Sequence, residues 1–196
     1  MDEASIASAC AGATYVIHTA SPFFFSSDED QLVKPAVAGT LAVMKACSQH
    51  GVKRCVVTSS VAAVTYPAEE DKPKPGGKWD ETFWSNPDRK EGMYAYPKSK
   101  VLAEKAAWDY VDKLPEGQKF ELATINPVFI MGPSICSGDG TSEGWMIKWL
   151  NGSKEKIPRS NVSFVDVREC SIAHLKAVQV PEAAGKRFLL SGHDAW

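Results

Sequence analysis

Residues 54–60 read RCVVTSS, and the apolar, β-branched run that opens this stretch is typical of a strand buried on both faces. Similar runs lie at residues 14–20 and 120–126, and stretches with helical spacing of apolar residues separate them at residues 31–50 and 94–114. Strands that alternate with helices in this way predict a parallel sheet covered on both faces. We therefore expect an α/β fold whose chemistry gathers at the carboxyl ends of the strands.

The remaining segments are less regular. Residues 66–92 contain several Pro and Gly residues and show no periodicity, which indicates a long loop that is either functional or mobile. After the third strand we expect a bridging segment, a helix, a strand, a helix and a last strand at residues 127–133, 141–150, 162–165, 166–178 and 187–190. All 196 residues are expected to form one domain.

The composition excludes several classes of protein. Hydrophobic residues make up 44% and charged residues 23% of the chain, which is ordinary for a globular domain. The 22 Lys and Arg residues are scattered and the net charge is -2, so we expect no nucleic-acid partner. No run of about 18 apolar residues occurs and the N-terminus is acidic, so we expect a cytoplasmic protein without a membrane span.

The cysteines form neither a disulfide framework nor a zinc site, because the chain has five of them, widely spaced and without a C-x-x-C pair. We expect no metal site, and we expect buried free thiols at Cys10, Cys47, Cys55, Cys136 and Cys170.

One group of polar residues has the spacing of a catalytic set. Ser60 follows the end of a strand, and Tyr96 and Lys100 lie four residues apart in a helix, so they share a face. An ammonium group near a phenol favours the phenolate and lowers its pKa toward neutrality. A serine hydroxyl can stabilise negative charge that develops on a carbonyl oxygen. Tyr-x-x-x-Lys alone also fits two neighbouring residues on the surface of a helix. The prediction of a catalytic set therefore depends on the serine at the strand end and on the long loop between Ser60 and Tyr96.

These residues belong to a longer pattern. The stretches VIHTASP (16–22), KPAVAGT (34–40), VTSS (57–60), YPKSKVLAEK (96–105) and the later NPV and FVDVR occur in this order. In that order they resemble the extended short-chain dehydrogenase/reductase superfamily, and within it the dihydroflavonol reductase and cinnamoyl-CoA reductase group. The resemblance runs through nearly the whole chain.

The resemblance implies a role for each of three residues. Tyr96 would give a proton to the substrate carbonyl, and Lys100 would hydrogen-bond the nicotinamide ribose and lower the pKa of Tyr96. Ser60, rather than its neighbour Ser59, would polarise the carbonyl. The implied cofactor is NADP, with NAD as the alternative. Further cofactor-binding residues implied by the resemblance are Thr19, Ala20, Ser21, Thr58, Ser59, Pro127 and Val128.

Aromatic residues near these strand ends suggest a substrate pocket. Phe23 and Phe24, followed by Phe25, lie in a loop at a strand's carboxyl end, and Trp84 lies in the long loop with Trp79 and Phe83. We expect Phe23, Phe24 and Trp84 to contact substrate. Tyr94 is expected to point elsewhere on the helix than Tyr96.

Three other polar residues are expected to be structural. His18 ends a strand beside the implied cofactor, and His174 lies on a helix used for packing. Asp166 precedes a helix and is expected to cap its N-terminus.

The chain departs from the family pattern at its start. No G-x-G-x-x-G or G-x-x-G-x-x-G occurs, although the family binds the cofactor pyrophosphate at such a turn. Residues 1–11 look like the helix before the family's fourth strand, and the chain stops where the family continues into its substrate lobe. We therefore expect an incomplete Rossmann-like doubly wound parallel sheet, with residues from about 128 onward contributing part of a small substrate lobe. An exposed sheet edge that permits self-association is also expected.

Three functions remain open at this point. The resemblance favours NAD(P)H-dependent reduction of an aldehyde or ketone, with an aromatic, flavonoid-like or acyl-CoA substrate. A sugar-nucleotide epimerase or a 3β-hydroxysteroid dehydrogenase would use the same Ser, Tyr and Lys. A non-catalytic fragment is the third reading, because the glycine-rich turn is missing.

Overall fold

The computed structural model describes residues 2–24, 28–89, 93–135, 140–156 and 162–195. The helices are α1 (Glu3–Cys10), α2 (Val33–Gln49), α3 (Ala95–Asp112), α4 (Thr141–Leu150) and α5 (Val167–Gln179). The strands are β1 (Tyr15–His18), β2 (Arg54–Thr58), β3 (Glu121–Pro127), β4 (Phe129–Met131), β5 (Val162–Asp166), β6 (Lys186–Leu190) and β7 (His193–Ala195).

The main sheet has four strands in the order β1-β2-β3-β6, and all of its neighbours run parallel. Helix α2 connects β1 to β2, and α3 connects β2 to β3. The prediction of an α/β fold with a parallel sheet is confirmed. The parallel arrangement brings the ends of β1, β2 and β3 to one edge, where the polar residues after these strands meet.

Both faces of this sheet are covered. On one face, Cys55 and Val57 of β2 and Leu122 of β3 pack with buried residues of α1, α2 and α3. On the other face, Val56 and Ile125 pack with residues of α5 and of the short turn after it. The alternation of neighbouring residues between two cores explains why the middle of β2, residues 55–57, is apolar without interruption.

A second, smaller sheet has the order β4-β5-β7, with β5 antiparallel to β7. The sequence predicted only a bridging segment over residues 127–133 and no strand after residue 190. Each of the two unpredicted strands is three residues long, too short for its periodicity to stand out.

The long loop is anchored at its end. Ser85 is fully buried, donates its hydroxyl to the Ala62 carbonyl and accepts from the amide of Tyr66. The amide of Asn86 also donates to the Tyr66 carbonyl, at 2.7 Å. The loop end is therefore fixed beside the segment that follows β2.

Arg54 closes the amino end of the sheet. Its guanidinium donates to the carbonyls of Ala177, Val178 and Val180, which are the last acceptors of α5, and it pairs with Glu121 at 2.7 Å. The side chain is only 4% exposed, so a buried guanidinium supplies hydrogen bonds to the carbonyls at the end of α5.

Strand β1 is the edge of the main sheet, and Tyr15 and Ile17 on it remain 41% and 45% exposed. The four cysteines within the described residues are buried and free, as predicted, while Cys136 lies outside them. Within the described part of the chain, no helix has the length and apolar character needed to cross a membrane.

Candidate active site

The candidate site lies where the carboxyl ends of β1, β2 and β3 meet the first two turns of α3. Ser60 follows β2 and caps a short 3-10 helix by accepting a hydrogen bond from the Ala62 amide at 3.2 Å. Tyr96 and Lys100 lie one turn apart at the start of α3. These three residues, predicted as a set, are brought together.

The Ser60 hydroxyl lies close enough to the Tyr96 phenol to lower its pKa. The Lys100 amine lies 5.8 Å from the centre of the Tyr96 ring. Ser60 and Lys100 are each 7% exposed, so both side chains are largely shielded from bulk water. Interactions among such groups are stronger than they would be in water.

Burial raises the pKa of Tyr96 to about 12, although the Ser60 hydroxyl lowers it in part. The sequence predicted the opposite direction, through an ammonium group at Lys100. Desolvation disfavours the charged phenolate more than the nearby amine favours it. Tyr96 is therefore a protonated phenol at neutral pH, which suits a proton donor.

Burial also lowers the pKa of Lys100 to about 8, and the negative charge of Glu104 opposes this shift. Within the described part of the chain, no hydrogen bond reaches the Lys100 amine. A buried amine without a hydrogen-bond partner, in the wall of a cavity, is suited to hold a hydroxyl group of a ligand.

That cavity has a volume of about 560 Å³. It is lined by most of the residues that the sequence singled out, namely Thr19, Ser21, Phe23, Phe24, Thr58, Ser59, Ser60, Tyr96, Lys100, Pro127 and Val128. Ala20 lies instead beside a cavity of about 10 Å³ beneath it, which Ser59 and Lys100 also line.

The predicted aromatic contacts divide into two groups. The Phe23 ring lies 4.6 Å from that of Tyr96, and the Phe23 carbonyl accepts a hydrogen bond from Thr141 at 2.9 Å. Phe24 also lines the cavity, and Phe25 lies outside the described residues. The structure does not bring Trp84 to this cavity.

Trp84 is held between two cations. The Arg187 guanidinium stacks 3.6 Å from the centre of its ring, and the Lys105 amine lies 5.5 Å from it. Its loop neighbours Trp79 and Phe83 pack edge to face against each other. A pairing with an arginine so distant in sequence leaves no local signal at Trp84.

Sequence reasoning missed several residues of the cavity wall. Tyr94 was expected to point away, but it lies just before α3 in an extended conformation, where helical spacing does not apply. The other missed residues come from the segment after β2 and from the second sheet and α4: Val61, Ala62, Thr65, Tyr66, Phe129, Ile130, Ser142, Val162 and Ser163.

The two histidines differ in their surroundings. His174 accepts from the Thr58 hydroxyl at 2.7 Å, because its other nitrogen donates to the Cys170 carbonyl at 2.8 Å. The contact ties α5 to the end of β2.

Burial and the charge of Lys100 lower the pKa of His18 to about 4, so this imidazole is neutral. Asp166 caps α5 by accepting from the Arg168 amide.

Glu104 is the functional candidate that sequence reasoning overlooked. Its carboxylate is fully buried and accepts hydrogen bonds from Ser59, Asn126 and Arg187 at 2.5, 2.7 and 2.6 Å. The signal that was available is its position four residues after Lys100, on the same face of α3.

The chain resembles known proteins along most of its length. The family model for the 3-beta hydroxysteroid dehydrogenase/isomerase family matches residues 1–180. Cinnamoyl-CoA reductase 1 of Petunia hybrida is 35% identical over 189 residues, which cover 95% of this chain and 54% of that protein. The NADPH-dependent methylglyoxal reductase GRE2 of Saccharomyces cerevisiae is 36% identical over 190 residues, covering 90% of this chain and 55% of that protein.

Solved structures of reductases also resemble this chain along most of its length. The yeast methylglyoxal/isovaleraldehyde reductase Gre2 complexed with NADPH superposes with a TM-score of 0.82 at 31% identity, over 98% of this chain and 60% of that one. Vestitone reductase from alfalfa superposes with a TM-score of 0.77 at 28% identity, over 99% of this chain and 59% of that one.

The chain spans a little over half the length of the curated relatives it matches. The predicted similarity to the cinnamoyl-CoA reductase group is confirmed, and so is the Rossmann-like fold. On its sequence and its fold, the chain belongs to the 3-beta hydroxysteroid dehydrogenase/isomerase family.

Proposed function

We propose that this chain carries the catalytic residues of an NADPH-dependent reductase that converts an aldehyde or ketone to an alcohol. The observation that carries the proposal is the meeting of Ser60, Tyr96 and Lys100 in the wall of one cavity at the carboxyl ends of parallel strands. Relatives named as NADPH-dependent reductases of small carbonyl compounds support it.

The residues present fit the nicotinamide and ribose end of NADPH. The Lys100 amine has no hydrogen-bond partner within the described part of the chain and faces the cavity, where it would hold the ribose hydroxyls. Thr58 and Ser59 would line the nicotinamide side, Pro127 and Val128 would pack on its ring, and Thr19, Ala20 and Ser21 would approach the cofactor. NADPH, when bound, supplies the hydride.

The chain's own residues handle the proton. Ser60 would donate a hydrogen bond to the substrate oxygen and stabilise its developing negative charge. Tyr96, protonated at neutral pH, would transfer its hydroxyl proton to that oxygen as the carbonyl carbon becomes saturated. The Lys100 ammonium and Ser60 would then stabilise the phenolate until Tyr96 regains a proton.

The wall of the cavity favours an apolar substrate. Phe23, Phe24, Tyr94 and Phe129 surround the space beside Tyr96, and few of the lining residues are charged. We propose an aromatic or other bulky apolar carbonyl substrate rather than a sugar nucleotide. We also propose that residues from about 128 onward, which supply Phe129 and Val162, form the substrate side of the cavity.

The test is reductase turnover with NADPH, measured together with NADPH binding. Tyr96→Phe should lower kcat by about 10²–10⁴-fold and leave NADPH binding nearly unchanged, because only the transferred proton is lost. Tyr110→Phe, further along the same helix, is the matched control and should keep full activity. Full turnover by the Tyr96→Phe variant would refute the assignment.

A further inference from the structure

Glu104 is the meeting point of four elements. Its Oε2 atom accepts from Ser59 at 2.5 Å and from Asn126 at 2.7 Å, and its Oε1 atom accepts from Thr124 at 3.0 Å and Arg187 at 2.6 Å. These partners lie after β2, on β3 and on β6. The carboxylate itself lies on α3 and is 0% exposed.

This cluster reaches the catalytic set through short links. The Asn126 amide that donates to Glu104 also donates to the Ser60 carbonyl at 3.1 Å. Lys100 lies one helical turn before Glu104, on the same face of α3. The carboxylate is therefore linked to the Ser60 backbone through the Asn126 amide, and its charge favours the ammonium form of Lys100.

The groups that can alter the charge on Lys100 are few. Tyr96 on the same helix is neutral, since burial raises its pKa to about 12. His18 faces Lys100 from β1 and is neutral, since its pKa is lowered to about 4. Arg187 faces Glu104 from β6. Glu104 is thus the one negative charge acting on Lys100 within the described part of the chain.

Charged groups on the elements packed against α3 have their own partners. Glu29, before α2, pairs with Lys98 at 2.8 Å on the outer side of the helix. On α2, Lys34 and Lys45 pair with carboxylates at exposed positions. On β3, Glu121 pairs with Arg54 at the other end of the sheet.

We propose that Glu104 is a positioning residue of the candidate active site: its charge keeps Lys100 protonated, and its hydrogen bonds hold Ser59 and the Asn126–Ser60 link in place. Arg187 limits this effect, because it neutralises part of the carboxylate charge. The inference has two parts, and only the part that links the protonation of Lys100 to catalysis rests on the proposed function. The effect of the Glu104 charge on the pKa of Lys100 is a property of the folded chain and can be measured without any enzymatic activity.

The direct test is the pKa of Lys100, followed by NMR of its side-chain carbon and nitrogen atoms and assigned with a Lys100→Met variant. Glu104→Gln removes the negative charge at similar size, and it keeps one of the two acceptor oxygens of the carboxylate. We expect the pKa of Lys100 to fall by about 1, because a nearby opposite charge no longer favours the ammonium.

Arg187→Gln should shift the same pKa in the opposite direction. Without the guanidinium, Lys100 is the nearest cation to the Glu104 carboxylate, so its ammonium is favoured more strongly. A merely structural role for the pair predicts something different, since loosened packing would let water in and raise the pKa of Lys100 in both variants. Shifts of opposite sign separate the two explanations.

The control is Glu121→Gln, which removes a carboxylate paired with a buried arginine at the other end of the sheet and should leave the pKa of Lys100 unchanged. Glu104→Asp keeps the charge and should hold the pKa of Lys100 near the parent value. Glu104→Met, which also removes the charge, replaces Glu104→Gln if the latter does not fold. An unchanged or raised pKa in folded Glu104→Gln would overturn the proposal.

Activity then separates this inference from the proposed function. If the chain reduces carbonyl substrates, the alkaline limb of kcat in Glu104→Gln should move to lower pH together with the pKa of Lys100. If the pKa shifts occur without any turnover by the parent chain, the proposed function fails while the positioning role of Glu104 stands. If turnover occurs and its pH profile is the same in the parent chain and in Glu104→Gln, the positioning role of Glu104 fails while the proposed function stands.

Discussion

Tyr96 and Lys100 have pKa values that burial shifts in opposite directions, to about 12 and about 8. Both shifts favour the uncharged form, because a dry cavity wall penalises phenolate and ammonium alike. At neutral pH the tyrosine holds its proton and the lysine remains mostly charged. A proton donor beside a retained cation is the arrangement that carbonyl reduction requires.

The depressed pKa of Lys100 predicts how stability depends on pH. Between pH 8 and 10.5 the unfolded chain binds a proton at this lysine that the folded chain does not, so stability contributed by this residue rises with pH. Lys100→Met removes this dependence, and the difference in free energy of unfolding between parent and variant should change by about 3 kcal/mol across that range. Urea denaturation at several pH values measures it. A difference that does not vary with pH would contradict the prediction.

Trp84 illustrates a residue whose position the sequence could not reveal. Its stacking on Arg187 anchors the long loop to β6, so Trp84→Leu should destabilise the chain by about 1–2 kcal/mol. Because Trp84 lies outside the cavity wall, KM for a carbonyl substrate should stay unchanged. Phe23→Leu is the comparison, since Phe23 lines the cavity and should change KM. A raised KM in Trp84→Leu would place this side chain in contact with substrate.

At the scale of elements, the C-terminus of α5 depends on Arg54. Replacing it with Met removes the guanidinium that donates to four carbonyls and to the Glu121 carboxylate, so we expect a loss of about 3–5 kcal/mol in the free energy of unfolding. Lys45→Met breaks an exposed pair with Glu3 and should change stability by less than about 1 kcal/mol. Equal losses in the two variants would show that burial of the Arg54 pair is unimportant.

How much of an element could be predicted depended on its length and on which contacts shape it. Strand β2 was predicted with the bounds it has, because four apolar or β-branched residues in a row after Arg54 leave few alternatives. Strands β4 and β7 escaped notice because they are short and are stabilised by pairing with β5, which is distant in sequence. A local sequence pattern predicts local structure well, but it does not predict the pairing of strands that are distant in sequence.

The candidate site follows the same rule. Ser60, Tyr96 and Lys100 carry a spacing that can be recognised, and the structure places them together. Glu104 looks like an ordinary charge on an Ala- and Lys-rich helix, and its burial depends on Arg187, 83 residues later. Burial of a charge is a property of the assembled fold, so the sequence alone does not mark it.

At the scale of the whole molecule, the open edge at β1 predicts self-association. Tyr15 and Ile17 expose apolar surface beside unpaired backbone groups of an edge strand. Ile17→Lys places a charge there and should shift the chain toward monomer in sedimentation velocity experiments across a concentration series. Ile172→Lys, at an exposed position on α5, is the control. A parent chain that stays monomeric at all concentrations would refute the prediction.

The Glu104 cluster also imposes an order on biosynthesis. Its counter-charge, Arg187, leaves the ribosome long after α3 and β3, so a nascent chain that buries Glu104 early would hold a carboxylate without its cation. Burial of an unpaired charge is strongly unfavourable. Co-translational docking of α3 onto the sheet is therefore expected to wait until β6 has emerged, and the candidate site is completed in one of the last steps of folding.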